Sequence, residues 1–573
     1  MNRKLIVKIV SGICFFLVPV LLFYWMEAFE HNALIEVRSL AQWYNILLFE
    51  LMALILLFAT GSGKIALRIE TVLAMVFGLV NHYVMEFRST PFVPWDVFSI
   101  KTAASVVGNY EFMISKEVAY VCITMAAIFF LLRYLDVTIP KNLWIRLIPM
   151  GCASAVLVGF VTLLGDPQFQ SNSYLYPYLF TPAYMTQVNG MAVTFAMDMA
   201  YMYVEKPDDY SEEKAKEILA QYETNQEVQD RPNIIVIMNE AFSDVSVLGD
   251  FTTNQDYMPF LHSLQYGAPD TVTGNLTVSV CGGNTANTEF EFLTGHTMDF
   301  LPMGSIPYQQ YITDEIPSLA NQLKMLGYTS YGIHPYNASG WKRDEIYPLL
   351  GLDTNYFLRD FTSRIYVRNY VSDQTAYKKI IDIYENKGEE PLFVFEVTMQ
   401  NHGGYTEEHE DFSNDIYVEE FENVALNQYL SLIRLSDQAL EELIAYFSNV
   451  DEKTVIVFFG DHQPNDSVIR PILQYNGVTI SQVTEERYIV PYLMWANYDV
   501  KEATGQDTDI SFLGANLLKY ANMPTTAYQN FLLELEEVLN AADTSDAAKQ
   551  KAEEYTQMYQ ILQYYFMFDN QEE

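Results

Sequence analysis

Four apolar runs in this chain each stop on residues able to bind a metal or move a proton. Val455–Phe459, all β-branched or aromatic, ends on Gly460-Asp461-His462. Ile234–Met238 ends on Asn239-Glu240, Tyr331–Ile333 on His334, and Phe393–Thr398 near Asn401-His402. A short continuous apolar run reads as a strand buried on both faces, as in the parallel sheet of an α/β domain. Open sheets of that kind bind their ligands at the carboxyl ends of the strands. One edge would therefore gather Glu240, His334, His402, Asp461 and His462, although more than 200 positions separate the first from the last. Carboxylates beside an imidazole are natural metal ligands. A single Gly-Asp-His after a strand is as often a turn; four such endings point to a shared site.

The segment Cys281–Gly295 adds a nucleophile. Gly282 and Gly283 permit a tight turn, and a helical pattern starts at Thr285, with Phe290 and Leu293 on one face and Gly295 as a C-cap. Thr285 then stands at a helix start, where free backbone N–H groups and the helix dipole favour an anion. A threonine hydroxyl is a weak nucleophile at neutral pH, and coordination to a divalent ion is a physical route to activating it. Taken alone, Thr285 reads as a helix cap; beside Glu240, Asp461 and His462 it reads as a nucleophile.

The elements that must position these residues lie in two differently charged parts of the chain. Of 33 basic and 72 acidic residues, the first 166 positions hold 12 and 11, leaving 21 and 61 for the remainder. So acidic a domain repels nucleic acid, whose binding depends on neutralising phosphates. Residues 1–166 contain five apolar segments, near 5–25, 44–62, 66–85, 118–134 and 147–165, each close to the ~20 residues needed to cross a ~30 Å hydrocarbon core. Arg3, Lys4, Lys8, Lys64, Arg68, Arg133, Lys141 and Arg146 fall in alternate loops, and the other loops, which include Lys101 and Glu111, are acid-rich. The positive-inside rule then puts the N-terminus in the cytoplasm, and five crossings deliver the acidic domain outside. The third segment, interrupted by Arg68, Glu70 and His82, is the one on which that count turns.

Residues 167–231 read as a connector punctuated by Pro177, Pro182 and Pro207, with a short helix after Ser211. From Pro232 strands alternate with helices, which predicts βαβ units and a mostly parallel sheet sandwiched by helices over 232–540. Residues 541–573 read as an acidic helix and an aromatic tail docking on that domain. Cys281 is the one cysteine after residue 166, so no disulfide forms within the domain and no cysteine cluster holds zinc.

In their order, Asn239-Glu240 after a strand, Gly282-Gly283-Asn284-Thr285-Ala286-Asn287-Thr288-Glu289-Phe290, Gly340-Trp341-Lys342-Arg343-Asp344, Asn401-His402 and Gly460-Asp461-His462 resemble the lipoteichoic acid synthase family. The resemblance covers essentially the whole chain. It implies five transmembrane helices and an extracellular domain of the alkaline phosphatase/sulfatase fold. The implied activity is transfer of glycerol phosphate from phosphatidylglycerol to a surface acceptor, a glycerophosphate polymer or a glycolipid. It further implies one divalent ion, commonly Mn²⁺, on Glu240, Thr285, Asp461 and His462. Thr285 would attack the donor phosphate, and His334, Trp341, Arg343 and His402 would line the glycerophosphate pocket. Donor chemistry alone is compatible with Mn²⁺, Mg²⁺ or Zn²⁺. Arg343 could fork onto a phosphate, and His402 could carry protons. One departure stands out: Asn284 and Ala286-Asn287 flank Thr285 where the best-known synthases carry lysine and Ser-Asp, which leaves the acceptor open.

A sulfatase needs Cys or Ser followed by x-Pro-x-Arg, and Cys281 is followed by Gly-Gly-Asn-Thr. A phosphoethanolamine transferase shares the five spans and the threonine but usually carries several disulfides and two metals. A non-enzymatic binding or sensing protein would be expected to have lost some of Glu240, Thr285, Asp461 and His462.

Overall fold

The computed structural model describes residues 3–88, 91–97, 115–177, 182–222, 224, 231–302, 305–406, 409–410 and 412–569. They form two compact units, Met1–Val204 with Pro302–Ser305, and Glu205–Leu301 with Ile306–Glu573.

The first unit is helical. Arg3–Glu27, Ser39–Thr60, Lys116–Leu131 and Leu143–Gly165 belong to four stretches long and apolar enough to cross a membrane. The third expected segment is the Gly63–Arg88 helix. At 26 residues it also has the length to span, and it is less apolar than those four. Its polar side chains Glu70, Thr71 and Asn81 are buried in the bundle against neighbouring helices instead of facing outward. Lys101 and Glu111, used in the charge argument, lie outside the described residues.

The stretch read as a connector divides at Val204. Before it, the Pro182–Asn189 and Met191–Asp198 helices pack on the first unit, burying Met185, Val193 and Met197. Asn45 fixes them by donating to the Asn189 carbonyl at 2.7 Å and accepting from the Val193 amide at 3.0 Å. Of the prolines that read as punctuation, Pro182 starts a helix. Beyond Val204, Ser211 caps Glu212–Leu219 by accepting from the Lys214 amide at 3.1 Å.

Among its described residues the second unit has ten strands: β1 Asn233–Asn239, β2 Thr271–Thr277, β3 Thr329–Ile333, β4 Thr354–Tyr356, β5 Tyr366–Val367, β6 Tyr370–Val371, β7 Leu392–Val397, β8 Thr454–Gly460, β9 Ile489–Ala496 and β10 Thr508–Asp509. Eight form one sheet in the order β10-β2-β9-β8-β1-β7-β3-β4, and β5-β6 is a separate ribbon. The central run β3-β7-β1-β8 is parallel throughout, whereas β9 is antiparallel to both β8 and β2. Every residue of β1, β7 and β8 is buried, which is why each is dominated by an apolar run, broken inside β7 by the buried Glu396.

Helices cover both faces. On one, Ile235, Ile237, Val394, Ile456 and Phe458 meet Tyr429, Leu432 and Leu440 of the Val424–Phe447 helix. On the other, Phe292 of the Thr285–Thr294 helix lies 5.8 Å from the Phe395 ring and 5.1 Å from the Phe459 ring, centroid to centroid. The C-terminal helix Asp546–Tyr564 and the residues after it dock through Tyr559, Ile561 and Tyr565 onto a cluster holding Ile218, Tyr528 and Phe531.

One surface group ties stability to pH. His262 Nδ1 lies 2.9 Å from Asp256, and its Nε2 lies 3.6 Å from Asp244. Burial alone would lower its pKa, but the two carboxylates raise it from 6.5 to about 9. A raised folded-state pKa gives stability that is complete below pH 6.5 and lost as pH rises through about 9. Unfolding free energy is therefore expected to decline across that window, and His262→Asn to flatten the decline. Denaturant titrations in which His262→Asn leaves the pH slope unchanged would contradict this.

Candidate active site

The four strands whose ends carry chemistry are neighbours at the centre of the sheet, and register aligns their endings. Asn239 pairs with Gly460, so Glu240 and Asp461 emerge side by side. Gly460 must be glycine because of a close approach: a Cβ there would stand 1.8 Å from the Phe242 carbonyl oxygen. The chain after β1 turns at once through Ala241, in the left-handed region at φ 50°, and its amide donates to Asp461 Oδ1 at 2.7 Å. The Glu240 amide donates to the Thr398 hydroxyl at 3.0 Å, tying the end of β1 to that of β7.

Glu240, Asp461 and His462 form a group of acid and imidazole side chains whose ligand atoms lie within 4.8 Å of one another. His462 Nε2 is 3.3 Å from Asp461 Oδ2 and 3.8 Å from Glu240 Oε1. His462 Nδ1 lies 2.9 Å from the Gln463 carbonyl, so that nitrogen carries the proton and Nε2 presents its lone pair. Among the described residues, Asp461 Oδ2 and His462 Nε2 are buried without a hydrogen-bond partner. Burial and the adjacent Asp461 carboxylate push the Glu240 pKa well above the ordinary range. Orphaned donors, converging carboxylates and a fixed imidazole are what a divalent cation resolves, and the residues present fit one.

Thr285 completes the cluster. Gly282, Gly283 and Asn284 all have positive φ, and the Gly282 amide donates to the Gln463 carbonyl at 2.9 Å, binding this turn to the loop that carries His462. Thr285 opens the Thr285–Thr294 helix, its hydroxyl 3.5 Å from Glu240 Oε2. The helix is buried on every side, so the single apolar face expected from Phe290 and Leu293 is too narrow a reading. Thr288 donates to the Asp461 carbonyl at 2.8 Å and pins the helix to β8.

His334 and Arg343 are brought together behind this cluster. Arg343 Nη1 lies 3.1 Å from His334 Nε2, and His334 Nδ1 lies 2.9 Å from the Val397 carbonyl. A carbonyl at Nδ1 and a guanidinium at Nε2 fix His334 as the neutral Nδ1–H tautomer. Burial and then the Arg343 charge hold its pKa well below the usual histidine range. Both of its nitrogens are thus engaged by protein. His402 has a solvent-exposed edge, and its Nδ1 is 3.0 Å from the Tyr370 hydroxyl. Trp341 and Lys342 are consecutive left-handed residues, φ 57° and 56°, a strained turn of the kind that collects at functional sites. The Trp341 ring is half-buried, and among the described residues no hydrogen bond or ring contact joins it to the cluster.

Sequence reasoning missed Glu289, Tyr347, Arg368 and Tyr370. Arg368 donates to the Gln400 and His402 carbonyls at 3.1 and 2.6 Å, holding the turn that carries His402. Glu289 follows Thr285 by four residues, so the two share a helix face, a signal outweighed by the usual reading of a charged helical residue as solvated.

A family model described as Sulfatase matches residues 232–523. The chain belongs to the sulfatase family, and its second unit has the alkaline phosphatase/sulfatase-like fold. It is 30% identical over 401 residues to a Rhizobium meliloti protein named for cyclic beta-1,2-glucan modification, covering 68% of this chain and 61% of that protein. It is 24% identical over 363 residues to the lipoteichoic acid synthase of Staphylococcus aureus, covering 58% of this chain and 53% of the synthase. The chain thus spans between half and two thirds of the length of these relatives. Among solved structures, the Streptococcus pyogenes phosphoglycerol transferase GacH, in complex with sn-glycerol-1-phosphate, superposes with a TM-score of 0.52 at 21% identity. That superposition covers 63% of this chain and 95% of that one.

Proposed function

We propose that this protein is a membrane-anchored, metal-dependent phosphoglycerol transferase. It moves glycerol phosphate from phosphatidylglycerol to a cell-surface acceptor, a glycerophosphate polymer or a glycolipid. The observation that carries the reading is the Thr285 hydroxyl, at a helix start and 3.5 Å from Glu240, in one cluster with the orphaned donors of Asp461 and His462. The lipoteichoic acid synthase and phosphoglycerol transferase relatives favour glycerol phosphate over other phosphoryl groups. The helical first unit supports a lipid donor, because its long apolar helices would hold the chain where that donor resides. With Gly63–Arg88 counted as a fifth crossing, the second unit lies outside the cell and the N-terminus inside.

Glu240, Thr285, Asp461 and His462 would hold the ion, Mn²⁺ in this proposal. When bound, it supplies positive charge that lowers the hydroxyl pKa and offsets charge on the phosphoryl oxygens. Thr285 Oγ forms a bond to phosphorus as the bond from phosphorus to the diacylglycerol oxygen breaks, and diacylglycerol leaves carrying the proton that the Thr285 hydroxyl gives up. Backbone amides at the start of the Thr285 helix and the Arg343 guanidinium face the charge that builds on the phosphoryl oxygens. In the second half-reaction an acceptor hydroxyl attacks phosphorus as the bond from phosphorus to Thr285 Oγ breaks; His402 takes the acceptor's proton, and its return to Oγ regenerates the Thr285 hydroxyl.

His402 has to be neutral to do so. Burial of the ring is the largest cause lowering its pKa below the usual 6.5. Activity is therefore expected to hold down to below pH 6.5 and to fall as pH drops through the lowered pKa. His402→Ala should slow turnover by about 10²–10⁴-fold and remove that acid limb. An unchanged limb in the variant would exclude His402 as the proton carrier.

The reading as a whole is tested by incubating membranes containing the full chain with phosphatidylglycerol labelled in its headgroup. Release of diacylglycerol and transfer of label to a second molecule are expected. Consumption of labelled phosphatidylethanolamine in its place, or of neither lipid, contradicts it.

A further inference from the structure

Glu289 belongs to none of the metal-binding or substrate-binding sets, yet it is fully buried and carries a dense set of charged contacts. Its Oε1 and Oε2 lie 3.0 and 3.3 Å from Arg343 Nε, Oε1 also accepts from Arg343 Nη2, and Oε2 accepts from the Tyr347 hydroxyl at 2.9 Å. We infer that Glu289 is a positioning residue that aims Arg343 at the phosphoryl group attached to Thr285, because one helix carries both Thr285 and the carboxylate that grips Arg343. The inference rests on the phosphoryl-transfer reading of the site.

The geometry gives each contact a function. Residues four apart on a helix lie one above the other, so the spacing from Thr285 to Glu289 is set by backbone alone. Arg343 is an otherwise flexible side chain at the start of a different helix, Arg343–Leu349, next to the strained turn at Trp341-Lys342. Nε and Nη2 form a fork on the carboxylate, which fixes the guanidinium plane as well as its place. Tyr347, one turn beyond Arg343 on the same helix, grips the second oxygen, so helix and helix are joined at both ends of the carboxylate. Nη1, the third arm, is held as well. It points toward His334 Nε2 at 3.1 Å and the Gly340 carbonyl at 3.4 Å, and the neutral tautomer of His334 keeps a second positive charge away from it. Without Glu289 the guanidinium would be a buried charge with no counter-charge and no fixed orientation.

The test is a double-mutant cycle on the full chain with fluorescent phosphatidylglycerol, using Glu289→Gln, Arg343→Met and the pair together, which is neutral and close in volume. Glu289→Gln alone is expected to lower kcat/KM by about 10²-fold, the scale of an ångström-sized misplacement. In the Arg343→Met background it should change kcat/KM by less than about twofold, since there is no guanidinium left to aim. Mn²⁺ affinity, read by calorimetry, should be the same in all four proteins. An equal loss from Glu289→Gln in both backgrounds, or a loss of Mn²⁺ affinity, overturns the inference. Tyr347→Phe removes one hydrogen bond and no charge, so it guards against misfolding. It should lower kcat/KM several-fold with Arg343 present and not in the neutral pair, and equal losses there also overturn the inference. Should the wild-type chain leave phosphatidylglycerol untouched, the substrate assignment fails by itself. The same cycle read on bis(p-nitrophenyl) phosphate then decides the role of Glu289.

Discussion

Asp461→Asn is expected to eliminate Mn²⁺-dependent turnover while leaving the fold intact. The two oxygens of Asp461 have separate duties: Oδ1 accepts the Ala241 amide at 2.7 Å, and Oδ2 faces His462 Nε2 at 3.3 Å without a hydrogen bond. Asparagine can keep the first contact through its carbonyl oxygen, whereas alanine would strand the Ala241 amide and confuse a structural loss with loss of the ion. Changing a residue that merely supports a metal ligand costs about 10–100-fold in affinity, so loss of a charged ligand should exceed that. The ion should also be visible without any substrate. Saturating a site that exists only in the folded chain stabilises by about 2.7 kcal/mol at 100 times Kd. Mn²⁺ should therefore raise Tm in the wild type and leave Asp461→Asn unmoved. Full activity after exhaustive chelation would remove the ion from the account.

Thr285→Ala is expected to reduce turnover by about 10⁴–10⁶-fold, the range seen when an enzyme loses its nucleophile and keeps its electrostatic site. The effect on stability should be slight. The lost hydroxyl makes one 3.5 Å contact, at the edge of hydrogen-bonding distance, and a typical net hydrogen bond is worth about 1 kcal/mol. Helix start and left-handed Asn284 do not depend on the side chain, since Asn284 makes no side-chain cap bond and the turn is held by backbone, Gly282 to Gln463. A separation of activity from stability on this scale distinguishes a nucleophile from a capping residue, whose loss costs about 1 kcal/mol and leaves rates alone.

The sheet centre was legible because burial on both faces writes itself as apolar runs, and the residues with metal-binding or proton-moving chemistry cluster where β1, β3, β7 and β8 stop, although β7 also carries the buried Glu396 inside it. The strands flanking that centre were harder to read. β2, Thr271–Thr277, contains Gly274 and Asn275 and lacks an apolar run, since the Gln506 backbone crosses so close that a Cβ at Gly274 would stand 2.1 Å from its carbonyl oxygen. Strand order was invisible as well, because the antiparallel β9 inserts between β8 and β2 through pairing of residues more than 200 positions apart. In the first unit, hydropathy marks the four helices long and apolar enough to cross a membrane among the described residues, and Gly63–Arg88 buries Glu70 and Asn81 among its neighbours. In the site, residues at strand ends stood out, whereas Glu289 did not. A charged residue inside a helix normally signals a solvated face, and nothing in the local sequence says that this helix has none.

The most direct test of the central claim is mass spectrometry of the full chain quenched during turnover of phosphatidylglycerol. The account predicts a glycerophosphoryl adduct on the peptide containing Thr285, absent in Thr285→Ala and accumulating in His402→Ala. An adduct on Cys281 or Thr288, or steady turnover with no adduct in either protein, would contradict it.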